Sequence, residues 1–190
     1  ATNIDKLLQL VERQQIDFTV VGPEAPLVAG IVDRFQEKGY KIFGPTKASA
    51  QIEGSKIYCT HLLQHAGVPI PQSEFFNDVE AAKNFLTKIG LPRVIKADGL
   101  AAGKGVIIAH TLPQALEAVE RMMIQGEFGE AGKKIIIQEC LEGTECSYTV
   151  ITDGKTFIPL ATAQDYKRVY DKDKGPNTGG MGAYSPILGL

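Results

Sequence analysis

Apolar positions in the first fifty residues switch repeatedly between two periods. Ile4, Leu7, Leu8 and Val11 fall on one helical face, with Thr2 or Asn3 placed as its cap. Phe18-Thr-Val-Val21 is a short β-branched run closed by Gly22-Pro23. A second helix is predicted over residues 27–38, stopped by Gly39, and Lys41-Ile-Phe43 gives another strand before Gly44-Pro45. Helix and strand alternating through tight loops predict a parallel α/β sheet. No opening strand with a glycine fingerprint precedes them, so residues 1–48 read as the C-terminal part of such a domain.

Residues 46–66 are helical in two pieces broken near Gly54-Ser55, and Gly67-Val-Pro-Ile-Pro71 is a stiff connector. Beyond it, strands are predicted over 73–76, 93–96, 106–109, 134–138, 145–152 and 155–160. A helix runs from Asp78 to about residue 89. Another, capped by Thr111, carries Leu116, Val119, Met122 and Met123 as its apolar stripe. Asp153-Gly154 marks a hairpin turn. Residues 164–186 show no period and contain four glycines and two prolines, so they are expected to form a long loop of functional or disordered kind.

Composition narrows the class without naming a function. The hydrophobic share is 44% and the charged share 22%, ordinary for a globular chain and unlike a disordered or fibrous one. A formal net charge of -2 gives no global field for nucleic acid or an anionic membrane, and neither is expected as a partner. Apolar runs are too short to span a bilayer and the N-terminus lacks a signal-peptide pattern, so a soluble cytoplasmic protein is expected. Cys59, Cys140 and Cys146 are odd in number and form no CxxC pair, which argues against a disulfide framework or a structural zinc site.

Three segments carry chemistry. In Lys96-Ala-Asp-Gly-Leu-Ala-Ala-Gly-Lys-Gly105, two strands join through a glycine–alanine loop framed by Lys96 and Lys104. Small residues let backbone N–H groups approach an anion, and the ammonium groups complement phosphate. This is not a P-loop: Gly99 and Gly103 enclose three residues, Gly105 follows the lysine, and β-formers come next. Taken alone, the loop fits a phosphate cradle and a flexible hairpin with a solvated lysine equally well. The second segment, from Gln138 to Glu145, leaves a buried strand with polar groups at its end. Backbone groups around Glu139 and Leu141 can read an adenine edge, and Glu145 can accept ribose hydroxyls; a solvated turn is the plain alternative. In the third, Lys167 and Arg168 beside Asp165 suit a phosphorylated or carboxylate substrate. Asn177-Thr178-Gly179-Gly180 offers amides and a hydroxyl with little bulk, and a mobile surface loop fits the same composition.

The order of Gly54-Ser-Lys56, the Lys96 to Gly105 loop, Gln138 to Glu145, Gln164-Asp-Tyr-Lys-Arg168 and Gly175 to Pro186 resembles the glycinamide ribonucleotide synthetases. These phosphoribosylamine–glycine ligases are ATP-grasp enzymes of purine biosynthesis. The stretch Val20-Val-Gly-Pro-Glu-Ala-Pro-Leu27 is similar too, so the likeness covers nearly the whole chain. It implies an α/β (α+β) architecture in which a helical connector (49–72) leads to an antiparallel ATP-grasp lid (73–141). The start of a central sheet and substrate loop (142–190) follows.

The resemblance also implies roles. Lys56 and Lys96 would meet ATP phosphates, with Gly99, Gly103, Lys104 and Gly105 in the loop that covers them. Gln138 stands where a glutamate faces the adenine amino group, Glu139 and Leu141 form the adenine hinge, and Glu145 holds the ribose. Gly22, Pro23, Glu24, Asp165, Lys167, Arg168, Asn177, Thr178, Gly179 and Gly180 would line the glycine and phosphoribosylamine side. Lys104, Asp165 and Arg168 would stand closest to the chemistry.

The expected cofactors are ATP with Mg²⁺ or Mn²⁺, but family metal ligands lie beyond residue 190, so no metal site is expected within this chain. Asp171-Lys-Asp173 lacks the closing glutamate of a calcium loop. Two substitutions depart from the pattern: Tyr166 replaces a histidine, and Gln138 replaces glutamate while keeping an acceptor oxygen. Family members are longer, so the chain is expected to be an internal piece that binds ATP weakly and turns over negligibly alone. Another ATP-grasp carboxylate–amine ligase and a non-catalytic ATP-binding module are the rival readings.

Overall fold

The computed structural model describes residues 2–187 except 102 and 173, with side chains left out at 176 and 177. Helix α1 (Ile4–Gln14) begins where the Asn3 side chain accepts from the Lys6 N–H at 3.0 Å. β1 (Thr19–Val20) and β2 (Ile42–Phe43) pair in parallel, as helix–strand alternation demands. Between them the single helix predicted over 27–38 is two, α2 (Glu24–Val28) and α3 (Ile31–Glu37). Gly30 separates them at φ +90°, a left-handed geometry that cannot continue a helix and that glycine adopts at no steric cost. Val11, Ile31, Val32 and Phe35 close a small core here, with Leu7, Leu8 and Tyr40 around it.

Helices α4 (Gln51–Gly54) and α5 (Lys56–His65) break at Ser55, which is extended and whose hydroxyl accepts from the Tyr58 N–H. The chain then builds a four-stranded antiparallel sheet from β3 (Ser73–Phe76), β4 (Arg93–Ala97), β5 (Val106–Ala109) and β6 (Ile135–Glu139), in the order β3-β6-β4-β5. Helices α6 (Val79–Leu86) and α7 (Leu112–Met123) cover one face. Thr111 and Gln114 cap α7 reciprocally, each side chain accepting from the other's backbone N–H.

Side chains alternate across a strand, so register decides what each face carries. Ile95, Ala97, Ala109, Ile135 and Ile137 enter the core with Leu86, Val119 and Met122. The pairs Lys96↔Ile136, Lys96↔Val106 and Val94↔Gln138 place Lys96, Val106 and Gln138 on the opposite, open face.

Past β6 the outcome departs from expectation twice. The strand predicted over 145–152 shrinks to β7 (Val150–Thr152), with Ser147 making an isolated bridge to Ala163. β7 turns into β8 (Phe157–Pro159) through a four-residue loop, because the Asp153 carboxylate accepts from the Lys155 and Thr156 N–H groups and widens the turn. The supposed long loop is an antiparallel hairpin, β9 (Gln164–Tyr170) and β10 (Lys174–Tyr184). Its two register shifts and its glycines erase the side-chain alternation that would have announced it. Among the described residues no helix is long and apolar enough to cross a membrane.

Candidate functional site

A cavity of about 1000 Å³ lies between the open face of the four-stranded sheet and the β9–β10 hairpin. Lys96, Val106, Ile108 and His110 form its sheet wall, Gly103 its loop edge, and residues 140–145 its hinge. Asp165, Lys167, Arg168, Thr178 and Gly179 close the far side. The walls therefore offer an apolar strand surface at one end and several charges at the other.

Two ammonium groups define the cationic end. Lys56, at the start of α5, donates from Nζ to the Gly99 carbonyl at 2.7 Å, which ties the helix to the glycine loop. Burial lowers its pKa, while Asp98 and Glu53 act the other way. Lys96 is also lowered, by burial first and then by the Lys56 charge beside it. Two half-buried, mutually repelling cations are poorly placed unless an anion joins them. Such a pair suits a polyphosphate. Because both pKa values are depressed, the charges are lost at lower pH than ordinary lysines would allow. Affinity for a polyphosphate ligand is therefore expected to fall on the alkaline side, by about tenfold for each neutralised contact worth about 1.4 kcal/mol. Calorimetric titrations between about pH 7 and about pH 10 read this directly.

The glycine loop is shaped by close approach. A Cβ on Gly99 would come 2.6 Å from the Ala131 Cβ and 3.1 Å from its Cα, so only glycine leaves the carbonyl where Lys56 meets it. Across the cavity, Lys167 pairs with Glu145 at 3.1 Å and Asp165 at 3.4 Å, and the Glu145 hydrogen bond leads the rise in its pKa. Arg168 donates to the Gly175 carbonyl at 3.2 Å, and the Thr178 hydroxyl donates to the Lys167 carbonyl at 2.9 Å. Carboxylates and cations alternate here, a surface suited to a ligand with both an amine and an acid.

Two sequence profiles of known families account for the chain. The phosphoribosylglycinamide synthetase N domain matches residues 1–53, and the ATP-grasp (A) domain of the same synthetase matches residues 54–189. The chain belongs to the phosphoribosylglycinamide synthetase family. It is 54% identical over 185 residues to a phosphoribosylamine–glycine ligase of Escherichia coli (strain K12), covering 97% of this chain and 43% of that protein. A Pasteurella multocida protein of the same name is 52% identical over 98% of this chain and 43% of its own length. The chain thus spans less than half of the curated relatives it matches. The crystal structure of the Thermotoga maritima ligase superposes with a TM-score of 0.73 at 34% identity, over 88% of this chain and 41% of that one. A biotin carboxylase of Campylobacter jejuni, solved with an ATP analogue, gives 0.74 at 18% identity over 88% and 39%, a likeness of fold.

The chain does not gather all of its sequence candidates at one place. Lys96, Gly103, Leu141, Glu145, Asp165, Lys167, Arg168, Thr178 and Gly179 line the cavity. Lys56, Gly99 and Gly105 stand behind it in the loop and its anchor, Gly105 through the hydrogen bond from the Ala97 N–H to its carbonyl. Lys104 is exposed and outside the lining. Gly22, Pro23 and Glu24 sit at the end of β1, likewise exposed and outside it. The Gly180 N–H donates to the Thr178 hydroxyl, and the side chain of Asn177 lies outside the described residues.

At the hinge, the N–H and the carboxylate of Glu139 both meet the backbone of Gln72. Its N–H donates to the Gln72 carbonyl, and its carboxylate accepts from the Gln72 N–H. Gln138 is buried and donates from Nε2 to the Ser73 hydroxyl at 2.7 Å, leaving Oε1 as its acceptor. Tyr166 stacks on Tyr184 with ring centroids 6.0 Å apart. Residues the sequence reading passed over also appear: His110, which continues the alternation of Val106 and Ile108, and Cys140, between two named hinge positions. Among the described residues, no group of three or more His, Cys, Asp and Glu comes together to hold a metal ion.

Proposed function

We propose that the synthetase-family protein containing this chain ligates glycine to 5-phosphoribosylamine, consuming ATP and giving glycinamide ribonucleotide, ADP and phosphate. The observation that carries this reading is Lys96, half-buried with Lys56 behind it at the glycine loop, facing across one cavity an Asp165–Lys167–Arg168 surface suited to the substrates. Glycine's carboxylate is a poor acyl donor. Its oxygen takes the γ-phosphoryl while ADP departs, the phosphoribosylamine nitrogen then attacks the acyl carbon, and phosphate leaves with the former carboxylate oxygen. Such transfer needs alignment and charge neutralisation rather than a protein nucleophile. Lys56 and Lys96 supply positive charge where negative charge spreads, and the loop from Gly99 to Gly105 excludes water from the reactive acyl phosphate.

Mg²⁺ would add charge neutralisation on the phosphates. A donor set for it does not assemble among the described residues, whose own contribution is the lysines, the loop and the hairpin. Glu145 would hold the ribose, Leu141 the adenine edge, and Val106 and Ile108 the base face. Arg168 and Lys167 would hold the phosphate of phosphoribosylamine, and Asp165 its amine or that of glycine.

ADP release by the full-length protein tests the proposal, with each substrate omitted in turn. Release that requires both glycine and phosphoribosylamine is the expected result. Undiminished glycine-dependent release without phosphoribosylamine indicates a different carboxylate–amine ligase, and ATP binding with no ligated product indicates a binding module.

A further inference from the structure

Asp98 follows the last residue of β4 and precedes Gly99, yet it lies outside the cavity lining. Its N–H is shared between the carbonyls of Ala131 at 2.9 Å and Lys134 at 3.0 Å, which pins its backbone to the segment entering β6. Its Oδ1 accepts twice from the start of α5: from the Ser55 hydroxyl at 2.9 Å and from the Ile57 N–H at 2.8 Å. Lys56 lies between those two donors. One carboxylate oxygen thus holds the Ser55 hydroxyl before the lysine and the Ile57 backbone after it, and the next residue's carbonyl receives the lysine's ammonium.

We propose that Asp98 is the positioning residue for Lys56, holding its backbone against the glycine loop and providing a counter-charge that keeps the ammonium ready for phosphate. The inference rests on the nucleotide reading of the cavity given above. The charged groups acting on Lys56 come from three elements: Asp98 from the loop after β4, Glu53 from α4, and Lys96 from β4. Asp98 and Glu53 favour the charged lysine, while burial opposes it; the Lys56 charge in turn lowers the pKa of Lys96. Removing the Asp98 charge leaves Glu53 alone on the favourable side, and Lys56 loses its proton at lower pH.

An aspartate in contact with a helix start is commonly a cap and nothing more. A double-mutant cycle separates the two roles, with ATP dissociation constants measured on the full-length protein. Asp98→Asn suits this better than Asp98→Ala, since it preserves volume and an acceptor oxygen for Ser55 and Ile57. It is expected to weaken ATP binding about threefold near pH 7 and about tenfold near pH 9, because the lost charge lowers the lysine's pKa. In a Lys56→Met background the same change is expected to alter affinity less than about twofold at either pH. Equal costs in both backgrounds, or a cost independent of pH, overturn the proposal, and so does unchanged affinity in the single variant. If Lys56→Met alone leaves ATP affinity intact, the nucleotide reading itself fails first.

Discussion

Lys96→Met is expected to lower kcat/KM for the proposed ligation, measured on the full-length protein, by about 10²- to 10³-fold, the scale seen when one preorganised charge donor is removed from a transferring group. Methionine keeps an unbranched apolar stem in the β4 register between Val106 and Ile136, so the sheet should be undisturbed. What disappears is an ammonium that burial and Lys56 both disfavour in the free protein. The folded chain without ligand therefore gains from the substitution, and the unfolding midpoint should hold steady or rise while activity collapses. Opposite signs for stability and activity are the mark of a residue kept for its ligand. Near-normal turnover in Lys96→Met, or a parallel fall in stability, would remove the lysine from the phosphate site.

Local signals explain which parts of the fold were legible. The Thr111 cap, the helix start at Asp78 and the 73–76 strand each depend on a few adjacent residues, and each appears where the pattern put it, within a residue. Gly30 was equally local but silent, since a glycine inside an apolar helical period does not declare whether its φ is positive. The β9–β10 hairpin was hidden for a different reason. Its pairing runs through backbone groups and two register shifts, so it needs no alternating side chains.

The site divides in the same way. The glycine loop between two lysines is contiguous and could be read directly. The grip of Asp98 on Ser55 and Ile57 spans more than forty residues and exists only after α5 docks on the sheet. At the hinge, pairing narrows which backbone groups are open to a ligand: the Glu139 N–H is taken by the carbonyl of Gln72 beside β3, a contact between residues 67 apart that position along the chain does not announce. His110 was legible in principle, being two residues past Ile108 on the same strand face, but its type suggested nothing about a cavity wall.

Ile137→Ala is expected to cost about 2–5 kcal/mol of stability, read as a lower urea midpoint with an unchanged slope. Ile137 is 2% exposed on β6, paired to Glu74 of β3 and Ile95 of β4, and its side chain enters the core under α6 and α7. Strands on both sides and helices above prevent the site from collapsing around a smaller residue, so a cavity adds to the lost transfer energy. Ile124, just past α7 and 60% exposed, is the control: the same chemical change there should cost under about 0.5 kcal/mol. The consequence reaches the ligand face, because Ile136 and Gln138 flank Ile137 in sequence and point to the opposite side of the same strand. A loosened β6 should therefore weaken ATP binding as well as stability, which a surface isoleucine cannot do. Equal midpoints for the two variants would mean that this sheet is not the structural base of the cavity.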